Sequence, residues 1–372
     1  MSRTALPATR LEIDLAALGQ NYNYFRNKIG TGIKMLGVVK AYGYGSESAA
    51  MAKELVKLGV DYLAVAYVRE GVALRDAGVQ LPILVLHPQP PDLPELIDRC
   101  LEPALYSPRL LKAFVDVAQE KDQKDYPVHI KFNTGLNRLG FWENDLEWIS
   151  SQLQKTRSIK VLSLFSHLAA SDDLDEDSFN QRQIDRFKSI AANFEAQTGM
   201  RPFLHQSNTS GILNYPRAHF DMVRCGIGLH GFSNDPSVDK ELIPIATLMT
   251  SISQLHKIEP GETVGYNRAY KADGYRTIAT LPLGHADGIV RALGNENGSV
   301  MVNGAVAPIV GNVCMDMIMV DVSGIDCKEG DPVEVFGQNH SAAAMAAQAG
   351  SISYELITAI SQRVPRVILN PA

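Results

Sequence analysis

From residue 33 to residue 227 short apolar runs alternate with longer stretches of helical period, and this alternation constrains the fold more than any other feature. The runs cover 33–40, 62–68, 83–87, 103–106, 128–133, 161–167, 203–208 and 222–227. Amphipathic segments such as 46–58, 69–77, 108–120 and 178–198 separate them, each long enough to carry the chain between parallel strands. Eight such units predict a (β/α)8 barrel of α/β class, because parallel strands buried on both faces read as near-continuous apolar runs. An open doubly wound sheet would give a similar alternation, and Pro103 weakens the fourth strand because proline donates nothing to a ladder.

After about Leu242 the texture changes to β-rich runs at 250–258, 277–283, 299–302, 317–320 and 332–336, separated by glycine turns. A second, mainly β domain is expected there, closed by a helix over 353–362. A chain of 372 residues is long enough for a large domain and a smaller one.

A net charge of -6 with no basic block excludes the electrostatic footprint of a nucleic-acid binder. No run has the length of a membrane span, and Met1 to Arg10 lacks the order of a signal peptide, so a cytoplasmic protein is expected. Cys100, Cys225, Cys314 and Cys327 form no C-x-x-C pair and read as reduced thiols, three of them beside apolar strand residues. No H-E-x-x-H or comparable spacing joins the histidines, so no metal is expected.

Barrel enzymes carry their chemistry at the carboxyl ends of the strands, and polar residues gather there: Lys40, His87, Lys131 with Asn133, His167, His205 with Asn208, and Arg224. Lys40 leaves a buried run into Ala41-Tyr42-Gly43-Tyr44-Gly45, where desolvation favours the neutral amine that attacks carbonyl carbons. Arg224 is an always-charged donor followed by a glycine that admits an anion to the backbone. Alternatives stay open from spacing alone: a lysine snorkelling at a strand end, a structural arginine salt bridge, hydrogen-bonded core histidines.

Val38-Val39-Lys40-Ala41-Tyr42-Gly43-Tyr44-Gly45 resembles the cofactor-lysine motif of alanine racemases. Further matches follow in family order: Lys131 to Gly140, Phe165 to Ala169, His205 to Ser210, Phe220 to Gly226, Thr263 to Tyr266, Pro282 to Gly288, Val313 to Met317, and Tyr354-Glu355 before Arg363 to Arg366. They span nearly the whole chain. The resemblance implies a segment 1–15 whose strand near residues 10–15 belongs with the β domain, a barrel binding pyridoxal 5'-phosphate over 16–240, and a mainly β domain over 241–372.

By the same resemblance, Lys40 would hold the cofactor and act as one base, with Tyr266 from the partner subunit of a homodimer as the other. Tyr44, Thr209, the backbone of Gly226 and Ile227, and Tyr354 would hold the phosphate; His167 and Asn208 would complete the cofactor site. Arg224 would face the pyridine nitrogen with His205 supporting it, and Arg138 and the backbone of Met315 would hold the substrate carboxylate. Lys131, carbamylated in many relatives, would orient Arg138, and Asp316 lies beside Met315 in its motif. The implied reaction interconverts L- and D-alanine and supplies D-alanine for peptidoglycan.

Four residues depart from the family pattern. Asn133 stands where aspartate is usual, His285 and His230 where tyrosine is usual, and Asn312 where an arginine often lines the access path. By the resemblance, His285, His230 and Asn312 bear on substrate breadth and pH profile more than on reaction type. Two rival readings are a barrel-type amino-acid decarboxylase using the same cofactor, disfavoured by Arg224 and Tyr266, and a non-catalytic carrier barrel, disfavoured by the β-rich region after Leu242.

Overall fold

The computed structural model describes residues 6–370 of the chain; residues 1–5 and 371–372, the outer ends of the expected N-terminal segment and β domain, lie outside the described residues. After strand β1 (Arg10–Asp14) come β2 (Lys34–Val38), β3 (Tyr62–Val65), β4 (Ile83–Val85), β5 (Glu102–Leu105), β6 (Tyr126–Lys131), β7 (Ile159–Phe165), β8 (Phe203–His205) and β9 (Met222–Cys225). Strands β2 to β9 pair in parallel and in sequence order, and β2 closes the ring against β9, with Lys34 opposite Met222. Closure decides for the barrel over the open sheet. Pro103 sits inside β5 opposite Val85, and the ladder from β5 to β6 starts one residue later, at Ala104.

Most of the apolar runs overshoot their ladders by one to three residues. Hydropathy marks burial, and residues just past several ladders are buried as well: Val39 after β2, Phe132 after β6, Ser207 after β8. Between strands lie the expected helices, at Ser48–Lys57, Val68–Asp76, Pro108–Glu120 and Asp177–Thr198. The third starts where Ser107 accepts the Leu110 N–H at 3.3 Å and Pro108 presets the first turn, and it buries Leu110, Leu111, Phe114 and Ala118.

The second sheet has nine strands in the order Gln254–Ile258, Arg276–Leu281, Ile318–Asp321, Ala305–Val310, Ser299–Val302, Pro332–Phe336, Ala246–Ser251, β1 and Arg366–Leu369. β1 runs antiparallel to Ala246–Ser251 and parallel to Arg366–Leu369, so the first strand of the chain is completed by its last. The single run expected over 250–258 is two strands interrupted at Ile252 and Ser253, and the closing helix stops at Ala359 rather than residue 362. All four cysteines are free; only Cys225 is buried in a strand, whereas Cys100 is exposed, so the expectation of three strand-side thiols is corrected.

Candidate active site

A cavity of about 520 Å³ opens at the carboxyl rim of the barrel, where β2, β6, β7 and β9 deliver Lys40, Lys131, His167 and Arg224. Lys40 reaches it through an unusual backbone. Beyond β2, residues Ala41, Tyr42, Gly43, Tyr44 and Gly45 all take positive φ, at 53, 56, 64, 52 and 83°. Left-handed geometry costs a non-glycine residue about 1–2 kcal/mol, and three of the five are not glycine. Two side chains hold the turn in place. Glu70 accepts the Ala41 N–H at 2.7 Å and those of Ala66 and Tyr67 at 2.7 and 3.1 Å. Arg366 donates twice to the Gly45 carbonyl, at 3.0 and 2.7 Å. The turn aims Lys40 into the cavity and folds Tyr44 back against its wall.

Four cations line this cavity, Lys40, Lys131, Arg138 and Arg224, and among the described residues no carboxylate does. Burial, then Arg138, lowers the Lys40 pKa, with Glu70 opposing. Burial, then Arg138, Arg224 and Lys40, brings Lys131 down to about 7. Both amines therefore favour the neutral form more than a free lysine does.

Arg224 is buried and tightly held. Its Nη1 donates to His205 Nδ1 at 2.8 Å and to the His205 carbonyl at 3.2 Å. Its Nη2 reaches the Ser166 and Gln206 carbonyls, both at 2.8 Å, and His167 Nδ1 at 3.0 Å. Nε is the guanidinium nitrogen left to face a ligand, among the described residues. Burial and Arg138 push the guanidinium down to about 9, so it stays charged at neutral pH. His167 and His205 are held well below the usual histidine range by burial first and Arg224 second, which keeps both rings neutral.

The opposite end carries hydroxyls. Tyr44, Thr209, Tyr354, Asn208, Gly226 and Ile227 line it. Burial raises the Tyr44 pKa and pushes that of Tyr354 up to about 12, so both phenols remain donors at neutral pH. Thr209 Oγ1 accepts the Gly226 and Gly228 N–H groups at 3.2 and 3.3 Å. A Cβ at Gly226 would clash with the Tyr44 hydroxyl, so only glycine leaves this wall open.

Asn133 shapes the turn that carries Arg138. Its Oδ1 accepts the Gly135 and Asn137 N–H groups at 3.1 and 3.0 Å, and its Nδ2 donates to Asn137 Oδ1 at 2.8 Å. His230 packs beside Tyr44 with ring centroids 4.6 Å apart; burial alone pushes it down to about 3, and neither ring nitrogen has a partner.

Four of the expected site residues lie outside the cavity lining within one chain. Tyr266, Met315 and Asp316 are exposed, with Asp316 paired to Arg363 at 2.7 Å. His285 is exposed too, and Asn312 donates to the Tyr266 carbonyl at 3.0 Å. His205 stands behind Arg224 rather than in the lining. Sequence reading missed Tyr67, which lines the cavity, and Glu70, whose only signal is an acid in the first turn of the helix after β3.

The family models named "Alanine racemase, N-terminal domain" and "Alanine racemase, C-terminal domain" match residues 13–234 and 245–368. Alanine racemase of Halothermothrix orenii is 36% identical, with 100% of this chain and 99% of that protein aligned. The solved alanine racemase of Clostridium difficile 630 superposes with a TM-score of 0.92 at 33% identity, over 98% of this chain and 97% of that one. That of Bartonella henselae, described with covalently bound pyridoxal phosphate, superposes at 0.88 with 27% identity, over 98% of this chain and all of that one. Matched in both halves and aligned end to end with such relatives, this chain belongs to the alanine racemase family of isomerases.

Proposed function

We propose that this protein interconverts L- and D-alanine with pyridoxal 5'-phosphate held on Lys40, using Lys40 and Tyr266 of the partner subunit as bases on opposite faces of the substrate. The observation that carries this reading is the cavity lining: four cations without a carboxylate, one of them a desolvated lysine, facing a wall of neutral hydroxyls. That lining fits an aldehyde-bearing phosphate ester and an amino-acid carboxylate together. Neutral phenols, the Thr209 hydroxyl and the open backbone at Gly226 suit the phosphate; Arg138, with the backbone of Met315, is proposed to hold the carboxylate.

When bound, the cofactor supplies an electron sink for the charge left at the α-carbon. Around it the side chains divide the work. Lys40, its pKa lowered first by burial and then by Arg138, would take or return the α-proton on one face. Tyr266 of the partner subunit does the same on the other, so inversion needs no rotation of the substrate. Arg224, its Nη1 and Nη2 held by His205, Ser166 and Gln206, would present its Nε–H to the ring nitrogen; a guanidinium does not give up that proton, which would leave the ring a weaker sink than an acidic partner would and discourage transamination. This distinguishes the site from a decarboxylase of similar plan.

Lys131 is proposed to carry a carbamate, the missing anion among the four cations, orienting Arg138. Residues 16–240 are read as the cofactor-binding barrel, and 1–15 with 241–372 as the β domain that reaches the neighbour's barrel mouth, making a homodimer with shared sites. The product D-alanine is proposed to serve peptidoglycan assembly in the cytoplasm; no helix among the described residues is long and apolar enough to cross a membrane. Borohydride reduction followed by peptide mapping tests the core assignment: the phosphopyridoxyl label is expected on Lys40, and recovery on another lysine overturns it.

A further inference from the structure

A line of polar side chains crosses the barrel interior, where layers of apolar residues are usual. Arg224 Nη1 lies 2.8 Å from His205 Nδ1, and His205 Nε2 lies 3.0 Å from Ser163 Oγ. Ser163 Oγ is 2.6 Å from His129 Nδ1, and His129 Nε2 is 2.7 Å from a carboxylate oxygen of Glu102. All five residues are buried, Glu102 at 8% exposure. Glu102 opens β5 and Arg224 lies near the end of β9, so the line climbs from the barrel floor to the cavity.

The direction of every proton in this line follows from its ends. A guanidinium only donates, so His205 Nδ1 accepts. His205 is neutral, and its single proton therefore sits on Nε2 and is donated to Ser163. The Ser163 hydroxyl, having accepted there, donates to His129 Nδ1. His129 then holds its own proton on Nε2 and donates it to Glu102. A proton on His129 Nδ1 would strand that of Ser163, and one on His205 Nδ1 would oppose an N–H of Arg224. Either fault leaves a buried donor unsatisfied. The Tyr62 hydroxyl bonds the same carboxylate and has its pKa raised, by burial first and Glu102 next; Arg75 is the nearby cation.

We propose that Glu102 is a remote positioning residue of the active site: as the final acceptor of a one-way hydrogen-bond chain it fixes both histidines as Nε2–H tautomers and keeps His205 Nδ1 an acceptor for Arg224. The effect on catalysis rests on the reading that Arg224 faces the cofactor ring. Removing the terminal acceptor frees the chain to reverse, which sets a His205 N–H against the guanidinium and turns it from the ring.

Nitrogen-15 spectra of histidine-labelled holoenzyme, with signals assigned through His129→Gln and His205→Gln, test the chain. Both rings are expected as Nε2–H tautomers; an Nδ1–H or doubly protonated ring at either position overturns the proposal. Glu102→Gln retains an oxygen acceptor and is expected to preserve the His205 signal. Glu102→Leu is expected to disturb it, to shift the absorption of the lysine-bound cofactor, and to lower kcat by about tenfold with little change in KM. Ser163→Ala cuts the chain in the middle and is expected to give the same His205 response should Glu102→Leu fail to fold. An unchanged His205 signal in either folded variant overturns the proposal. Wild-type protein in which both rings are Nε2–H tautomers but which takes up the cofactor without racemising alanine refutes the functional reading and leaves the chain standing.

Discussion

Tyr266 stands 73% exposed at the tip of the ribbon formed by Thr263–Val264 and Tyr270–Lys271, outside the cavity that Lys40 enters. Under the proposed two-base reaction, Lys40 and Tyr266 would then meet across a subunit interface. A closed two-fold dimer makes two equivalent shared sites. Lys40→Ala and Tyr266→Ala chains, each inactive alone, are expected to recover activity when co-expressed, with about a quarter of all sites intact under random pairing. Verified mixed dimers without activity would contradict the shared site.

Tyr266→Phe keeps the ring and removes the acid-base group. Racemisation is expected to fall by about 10²–10⁴-fold with cofactor binding unchanged. In deuterated water, Lys40 should still exchange the α-proton of D-alanine in this variant. Unimpaired exchange from L-alanine would refute a Tyr266 base.

Gly226→Ala places a methyl against the Tyr44 hydroxyl, at the end of the cavity proposed to hold the phosphate. Weaker cofactor binding is expected, by roughly tenfold for one lost charge-assisted hydrogen bond, with KM for alanine little altered in protein saturated with cofactor. Fluorescence titration of apoprotein with pyridoxal phosphate reads this directly, and an unchanged Kd would show that Tyr44 does not touch the phosphate.

Lys131 makes stability depend on pH. Its pKa in the folded, unmodified protein is about 7, against 10.5 for an ordinary lysine. Between those values the unfolded chain holds a proton that the folded chain does not, so this contribution is restored as pH rises and is lost as pH falls toward 7. In protein freed of carbon dioxide, the Tm advantage of Lys131→Met over wild type is expected to grow as pH is lowered from 10 to 7. A gap independent of pH would contradict it. With labelled bicarbonate, the neutral amine forms an N–C bond to carbon dioxide and releases a proton, and a carbamate carbon-13 signal is expected in wild type and absent from Lys131→Met.

The barrel was legible because parallel strands buried on both faces leave near-continuous apolar runs, and all eight strands overlap the runs that hydropathy marks. Pro103 shows the limit of a local rule, since its ladder simply begins one residue later. Lys40 was visible from its place after β2 and from its motif. The left-handed turn behind it was not, because Ala41, Tyr42 and Tyr44 have no intrinsic preference for positive φ and are held there by Glu70 and Arg366, the latter distant in sequence. The polar line from Arg224 to Glu102 was equally hidden. His129 and Glu102 interrupt apolar strands, but only barrel closure reveals that they meet through Ser163.

The most direct test of the proposed reaction is product analysis. Purified protein loaded with pyridoxal phosphate is given L-alanine alone, and the products are resolved on a chiral phase. Enantiomers have equal free energies, so D-alanine is expected to accumulate until the two forms are equal, and Lys40→Ala is expected to produce none. Ethylamine with carbon dioxide, pyruvate, or unreacted L-alanine in place of that mixture would contradict a racemase built on Lys40.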